Sequence, residues 1–390
     1  MGQSMRIWYV TDARLPGQAA NTVQIMKMCA AFGTVGHDVS LFVRLGKNSV
    51  DSAELFRSYA VPANFRINRA PRLIPGQSSR DHWSLPFTLS ALPWLRSNVR
   101  RFDLLYTRLP LLASLAARCG VRVVYEAHRL LPTEGWFARR IAQTVAQNSR
   151  RDAFAGLVGI SQVLSRWYSD FGVSPSKILP AHDGVDLERF TPVLTKSEAR
   201  LKLELPSHRP MVCYCGHLYR GRGTEELLSC AQAMPETLFL FVGGSDGDVA
   251  KYRTFVQDHS LENVRLTGFK PNGELPAYLY AADVLAMPYT QATGSAAFMS
   301  PMKLFEYLAA GRPIVASDFP SIREVLQHHV NAILVSPGDS SALRRGLEEA
   351  LDPVVSDILS QNARQDSKRF TWEIRARRIT EFVSLSRSPH

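Results

Sequence analysis

SPMKLFEYLAAGRPIVASDFPSIREVL, residues 300–326, is the stretch whose reading decides how this chain folds. Ser300 is a good N-cap and Pro301 suits the first helical position, so a helix is predicted from here to Gly311, a natural C-terminal stop. A β-rich run, Pro313–Ala316, follows at once, and a second helix is predicted at about 321–327. One residue is wrong for a plain surface helix. Lys303 stands where Glu or Gln would complete a capping box, and a cation in the first turn opposes the helix dipole by roughly 0.3–1 kcal/mol. An anion bound by the free N–H groups and by Lys303 removes the conflict, and phosphate is the expected anion. The other reading lets Lys303 reach into water. Glu306, three residues on, shares the face of Lys303. Ala309, Ala310 and Gly311 leave space below it, so its carboxylate either accepts two ribose hydroxyls or forms a surface pair with Lys303 worth about 0.3–0.5 kcal/mol. Leu304, Phe305 and Leu308 point to the core.

The strand-to-helix pattern of this block recurs along all 390 residues. Strands are expected at Arg6–Val10, Asp38–Val43, Leu104–Thr107, Arg122–Tyr125, Ala155–Ile160 and Lys177–Pro180. A second set is expected at Met211–Cys215, Leu238–Val242, Val264–Thr267, Val284–Met287, Pro313–Ala316 and Ala332–Val335, with helices between. Alternating β and α elements argue for parallel sheets covered on both faces. The length favours two domains. The boundary is placed near residue 187, giving domains 1–187 and 188–370 with a final helix, 371–390, packing back on the first. Segment 70–82 reads as an exposed loop.

A second anion candidate is GHLYRGRGTEELL, residues 216–228, between a strand and a helix. Gly216, Gly221 and Gly223 allow close approach of backbone to a ligand, and Arg222 again sits at the wrong end of a helix for a cation. Both turns would lie at the carboxyl ends of strands, where open α/β sheets bind ligands. A third turn, residues 15–21 with Gly17, follows the first strand.

Composition is that of a globular protein, 45% hydrophobic and 21% charged. No run of about 18 apolar residues suggests a membrane span, and the N-terminus lacks signal-peptide features, so a cytoplasmic location is expected. Cys29, Cys119, Cys213, Cys215 and Cys230 form no C-x-x-C pair; reduced thiols are expected and zinc is not. The net charge of +11 is uneven: residues 1–190 hold 24 Lys and Arg against 13 Asp and Glu, and residues 191–390 hold 22 of each. The basic half either meets something anionic, such as a membrane surface, a lipid-phosphate acceptor or nucleic acid, or is a solvated surface. No nucleic-acid motif is found. Trp83, Phe87, Leu92, Trp94, Leu95 and Val99 with nearby arginines fit either an interfacial amphipathic helix or a core helix. Asp246-Gly247-Asp248 has the D-x-D form of metal-dependent transferases, against which a turn before a helix is preferred.

Taken together, these segments resemble glycosyltransferase family four, retaining enzymes of the GT-B fold, over nearly the whole chain. The resemblance rests on PGQAANTVQIMKMCAAFGTVGHDVSLF, VVYEAHRL at 123–130, GISQVL at 159–164, HDGVDLERF at 182–190, TGFKPNGELPAYLYAADVLAMPY at 267–289, the 300–326 block and FTWEIRARRITEF at 370–382. It implies two Rossmann-like domains facing each other across a cleft, and transfer of a sugar from a nucleoside-diphosphate sugar to a glycan or lipid-linked acceptor, with no metal or other cofactor. It implies His128 as the catalytic residue near the reacting sugar. The implied donor-binding residues are Gly17, Gly216, His217, Arg222, Phe269, Lys270, Ser300, Met302, Lys303, Leu304 and Glu306. Of these, Arg222 takes the place of the diphosphate-binding lysine, Met302 and Lys303 offer main-chain N–H groups, Glu306 holds the ribose, and Phe269 and Lys270 lie beside the base. Two positions depart from the pattern: Phe298 replaces the first glutamate of the E-x7-E motif, and His217 replaces an arginine. A branch with an S-P-x-K-L-F-E-Y block shares the first loss. Alternatives of other chemistry are a non-catalytic nucleotide-sugar-binding protein and a sugar-nucleotide epimerase. Peripheral contact of the basic half with an anionic inner-membrane face is a further expectation.

Overall fold

The structure is a computed structural model that describes residues 3–17, 19–45, 51–70 and 84–386. Trp83 and positions 71–82 of the expected loop lie outside the described residues. The chain forms two compact units: residues up to His182 together with those from Trp372 onward, and Asp183–Thr371 between them. The chain therefore changes unit at 182/183 and 371/372 rather than at 187/188 and 370/371.

The first unit runs β1 (Arg6–Leu15), α1 (Ala20–Thr34), β2 (Asp38–Leu45), α2 (Ser52–Ser58), β3 (Arg66–Arg69), α3 (Leu85–Ser97), β4 (Leu104–Thr107), α4 (Pro110–Arg118), β5 (Val123–Ala127), α5 (Trp136–Asn148), β6 (Phe154–Gly159), α6 (Gln162–Asp170) and β7 (Ile178–Pro180). The second runs α7 (Lys196–Lys202), β8 (Met211–Cys215), α8 (Thr224–Ala233), β9 (Leu238–Val242), α9 (Asp246–Asp258), β10 (Val264–Leu266), α10 (Leu275–Ala281), β11 (Val284–Met287), α11 (Met302–Ala310), β12 (Ile314–Ser317), β13 (Ile333–Val335), α12 (Ser340–Ala350) and α13 (Pro353–Ser367). The last helix, α14 (Trp372–Leu385), belongs to the first unit and packs on α1, whereas α13 packs on α11 in the second.

Every strand pair is parallel. The sheet orders are β3-β2-β1-β4-β5-β6-β7 and β10-β9-β8-β11-β12-β13. Central strands such as β8 (MVCYC) and β9 (LFLFV) are buried along their whole length, as sheets covered on both faces require. Each order reverses direction once, between β1 and β4 and between β8 and β11. At such a switch point the loops leaving adjacent strand ends diverge and open a crevice.

Several expectations change. Residues 320–325 form turns rather than a helix, because Asn331 takes the Val325 carbonyl with its Nδ2 and the Gln327 N–H with its Oδ1. The N-cap of α11 is Pro301, one residue later than expected, and no side chain caps it. Ser300 is instead drawn away, its hydroxyl accepting the Asp183 N–H at 3.0 Å. Of the residues that fit either an interfacial or a core helix, Phe87 and Leu95 of α3 are buried and Trp94 stacks on Trp8 at 4.9 Å, whereas Val99, just past α3, is exposed. Asp246 and Asp248 open α9, where Ser245 Oγ accepts the Asp248 N–H; no cluster of three metal-ligating side chains occurs among the described residues. No helix among them is long and apolar enough to cross a membrane. None of the five cysteines is disulfide-bonded in the structure.

Candidate functional site

The second unit carries its candidate site at the β8/β11 switch point. The loop after β8 contributes Gly216 to Gly223, and the loop after β11 leads through Tyr289 to the start of α11. The two loops are locked together by backbone. Gly221 O accepts the Thr290 N–H at 3.0 Å and the Thr293 hydroxyl at 2.6 Å. Gly223 has φ +78°, and a Cβ there would lie 1.9 Å from Pro288 O.

Arg222 and Lys303 converge on this junction. The Arg222 guanidinium lies 4.4 Å from the ring of Tyr219, bonds its hydroxyl, and lies 4.9 Å from the ring of Tyr289. The Lys303 ammonium sits 4.0 Å from the Tyr214 ring and 5.4 Å from the same Tyr289 ring. It packs so tightly over Gly216 that a Cβ there would be 2.5 Å from Nζ. Lys303 Nζ is buried and has no hydrogen-bond partner among the described residues, and Arg222 Nε is likewise unmatched among them. Burial first, then the nearby Arg222 charge, bring the Lys303 pKa down to about 7. Aromatic faces compensate a buried cation only in part. The first N–H groups of α11, which no side chain caps, open at the same place. Two cationic side chains, one shared aromatic platform and an uncapped helix start have the chemistry to hold a multiply charged anion.

Glu306, one turn along α11, is not paired with Lys303. Its Oε1 accepts from Arg189 Nη1 at 3.0 Å, both side chains being largely buried, and Arg189 also bonds Asn272 O. No described residue donates to Oε2. Leu304 is buried in the core, so it can offer a ligand only its main chain, whereas Met302 is half-buried. Tyr214 donates to His217 O at 2.6 Å, while burial first, then Arg222 and Lys303, lower the imidazole pKa of His217. Phe269 is exposed and follows β10 by way of Gly268, which is bridged to Gly243, itself packed against Gly216. Lys270 lies 5.9 Å from the Tyr278 ring. Neither touches Arg222 or Lys303 directly among the described residues. Arg189, Tyr214, Tyr219 and Tyr289 were not singled out from sequence, because no spacing rule ties a ring or a short 3₁₀ turn to a helix start.

In the first unit, His128 stands just past the end of β5. Its Nε2 lies 3.4 Å from Glu126 Oε2. Burial first, then the charge of Arg108, pull its pKa down to about 4 against the opposing pull of Glu126. The imidazole is therefore neutral at pH 7. Gly17 lies in the turn after β1, where its N–H donates to the Tyr59 hydroxyl at 2.8 Å and its carbonyl accepts from Tyr59 and Thr22.

Two family models match the chain: Glycosyltransferase Family 4 over residues 22–189, and Glycosyl transferases group 1 over residues 209–352. The amylovoran biosynthesis glycosyltransferase AmsK of Erwinia amylovora is 26% identical over 236 residues, 58% of this chain and 55% of that protein. The D-inositol 3-phosphate glycosyltransferase of Salinispora arenicola is 25% identical over 290 residues, 66% of this chain and 62% of that one. The match thus spans less than two thirds of these relatives' length. Among solved structures, Anabaena HepE in complex with UDP superposes with a TM-score of 0.74 at 20% identity, covering 98% of this chain and all of that one. The fold is therefore GT-B, and the chain belongs to glycosyltransferase family four.

Proposed function

We propose that the chain is a retaining glycosyltransferase that moves a sugar from a nucleoside-diphosphate sugar to a glycan or lipid-linked acceptor without a metal ion. One observation carries the reading: Lys303 and Arg222 meet at a shared Tyr289 ring, with the Lys303 ammonium buried and without a hydrogen-bond partner among the described residues. A pyrophosphate supplies the missing negative charge. Glu306 Oε2 then accepts from the ribose while Arg189 holds Oε1, and Phe269 and Lys270 flank the base. Anabaena HepE was solved with UDP and with UDP-glucose, so uridine diphosphate is the first nucleotide to try.

In the reaction the bond between the anomeric carbon and the phosphate oxygen breaks, and the diphosphate gains charge as it leaves. Stabilising that charge is the main catalytic task, and Arg222, Lys303 and the start of α11 perform it. The acceptor oxygen bonds the anomeric carbon on the same face, and its proton passes to the departing phosphate oxygen. His128, neutral at working pH, orients the sugar by hydrogen bonding rather than by charge.

The test is a thermal-shift and calorimetric screen of uridine, guanosine, adenosine and deoxythymidine diphosphates. One of them should bind; no response to any of the four rejects the anion site. Glu306→Gln should weaken that binding by about 10-fold, the scale of one hydrogen bond to a charged group, and an unchanged Kd removes Glu306 from the ribose. His128→Ala should leave nucleotide binding intact and slow transfer by roughly 100-fold or more; full activity removes it from the site. Phe298, half-buried where the family pattern has a carboxylate, favours a second reading as a binding protein without turnover. Nucleotide binding with no release of diphosphate from any sugar nucleotide would select that one.

A further inference from the structure

Behind His128 lies a buried charged chain that the proposed reaction does not use. Glu126, fully buried on β5, accepts from Tyr9 Oη at 3.0 Å and from Gln24 Nε2 at 2.9 Å. Its other close partner is Arg375 of α14, whose Nη2 is 2.7 Å from Glu126 Oε1. Arg375 is itself buried, and its Nε donates to His182 O at 2.8 Å, on the last residue of the first unit before the chain leaves it. Arg108, which bonds Gln24 Oε1 at 3.0 Å, adds a second positive charge. Burial alone would push the Glu126 carboxyl up, but the charge of Arg375, with Arg108 adding to it, outweighs burial and holds the group ionised while His128 is neutral.

An ionised carboxylate only accepts hydrogen bonds. Nε2 of His128 is the nitrogen that faces Glu126, 3.4 Å away and without hydrogen-bond geometry to any described residue. Beside an ionised carboxylate the neutral ring is favoured with its proton on Nε2, which leaves Nδ1 as its acceptor. We infer that Glu126 is a positioning residue for His128: it fixes the Nε2–H tautomer, so that the imidazole offers Nδ1 as an acceptor to a hydroxyl of the bound substrate. Arg375 keeps Glu126 ionised and ties this arrangement to α14. The inference rests on the reading of His128 as a site residue. It adds to that reading which atom of the ring meets the substrate.

The experiment is ¹⁵N NMR of the full chain labelled at histidine, with His128→Gln identifying the signal. At pH 7.5 the wild-type ring should show its proton on Nε2. Glu126→Gln should lose that preference, because an amide can donate as well as accept. It should also move the His128 pKa further down, since Glu126 is the charge that raises it. If leaving Arg375 unmatched unfolds that variant, Glu126→Gln combined with Arg375→Met keeps the buried pair neutral and should give the same spectrum. Where release of UDP from UDP-glucose is measurable, kcat should fall roughly 10- to 100-fold with KM little changed. A wild-type proton on Nδ1, or an unchanged tautomer in a folded Glu126 variant, overturns the inference. Full activity in His128→Ala would instead overturn the role of the histidine and leave the tautomer result standing.

Discussion

Lys303→Met should raise the melting temperature of the ligand-free protein and weaken its response to nucleoside diphosphates. The ammonium is buried between the Tyr214 and Tyr289 rings with no hydrogen-bond partner among the described residues, and its pKa is held down to about 7. The sign follows from proton binding. Between about pH 7 and the ordinary lysine value, the unfolded chain binds more protons at this group than the folded chain does. Stability therefore rises with pH across that window, and the cost of charging Lys303 is fully present below it. Methionine keeps an unbranched apolar side chain and removes the charge, so the free protein gains at neutral pH. A bound diphosphate restores the lysine pKa, so binding near pH 8 should take up a proton. Calorimetry in two buffers of different ionisation heat measures that uptake directly. Loss of the contact should weaken diphosphate binding by about 100-fold, roughly 2.7 kcal/mol. Unchanged affinity, or a melting temperature that falls by several degrees, would mean that Lys303 serves packing rather than an anion.

Lys303 also marks how far the sequence could be read. A cation in the first turn of a helix is a local contradiction that needs no structure to notice, and so is Arg222 ahead of Thr224. That both reach one tyrosine ring depends on the sheet order, which places the ends of β8 and β11 side by side. Nothing in the spacing between residues 222 and 303 reports it. The central strands were legible because burial on both faces leaves short continuous apolar runs. β3 was not: its residues are RINR, an edge strand with no buried position. Helix α7 carries a sequence signal of its own, the full capping box of Thr195 and Glu198, but at seven residues it is too short to show an amphipathic period. The partner of Glu306 was illegible for a different reason. Arg189 comes from a 3₁₀ turn far away in sequence, and the nearer Lys303 looked like the natural pair by helical spacing. Side chains choose partners by the local balance of burial and charge, and Lys303 is already committed to the rings.

Gly223→Ala should cost the protein about 3 kcal/mol or more and eliminate diphosphate binding with it. Two independent penalties act at this position. The backbone has φ +78°, where a side chain is strained, and the added Cβ would lie 1.9 Å from Pro288 O and 2.6 Å from Pro288 Cγ. Neither neighbour is the free end of a flexible side chain, so the loop after β8 must move away from the loop after β11. That movement separates Arg222, one residue before, from Tyr289, one residue after Pro288. The expected drop in melting temperature is roughly 6–12 °C for a folding unit of this size. Gly294 gives the matched control. It lies on the loop after β11, its φ is outside the left-handed region, and an added Cβ meets nothing within 4 Å. Gly294→Ala should therefore stay within about 0.5 kcal/mol of the parent. A Gly223→Ala protein that melted and bound nucleotide like the Gly294→Ala control would show that the two loops are not fixed by their backbone contact. The placement of Arg222 beside Lys303 would then need another cause.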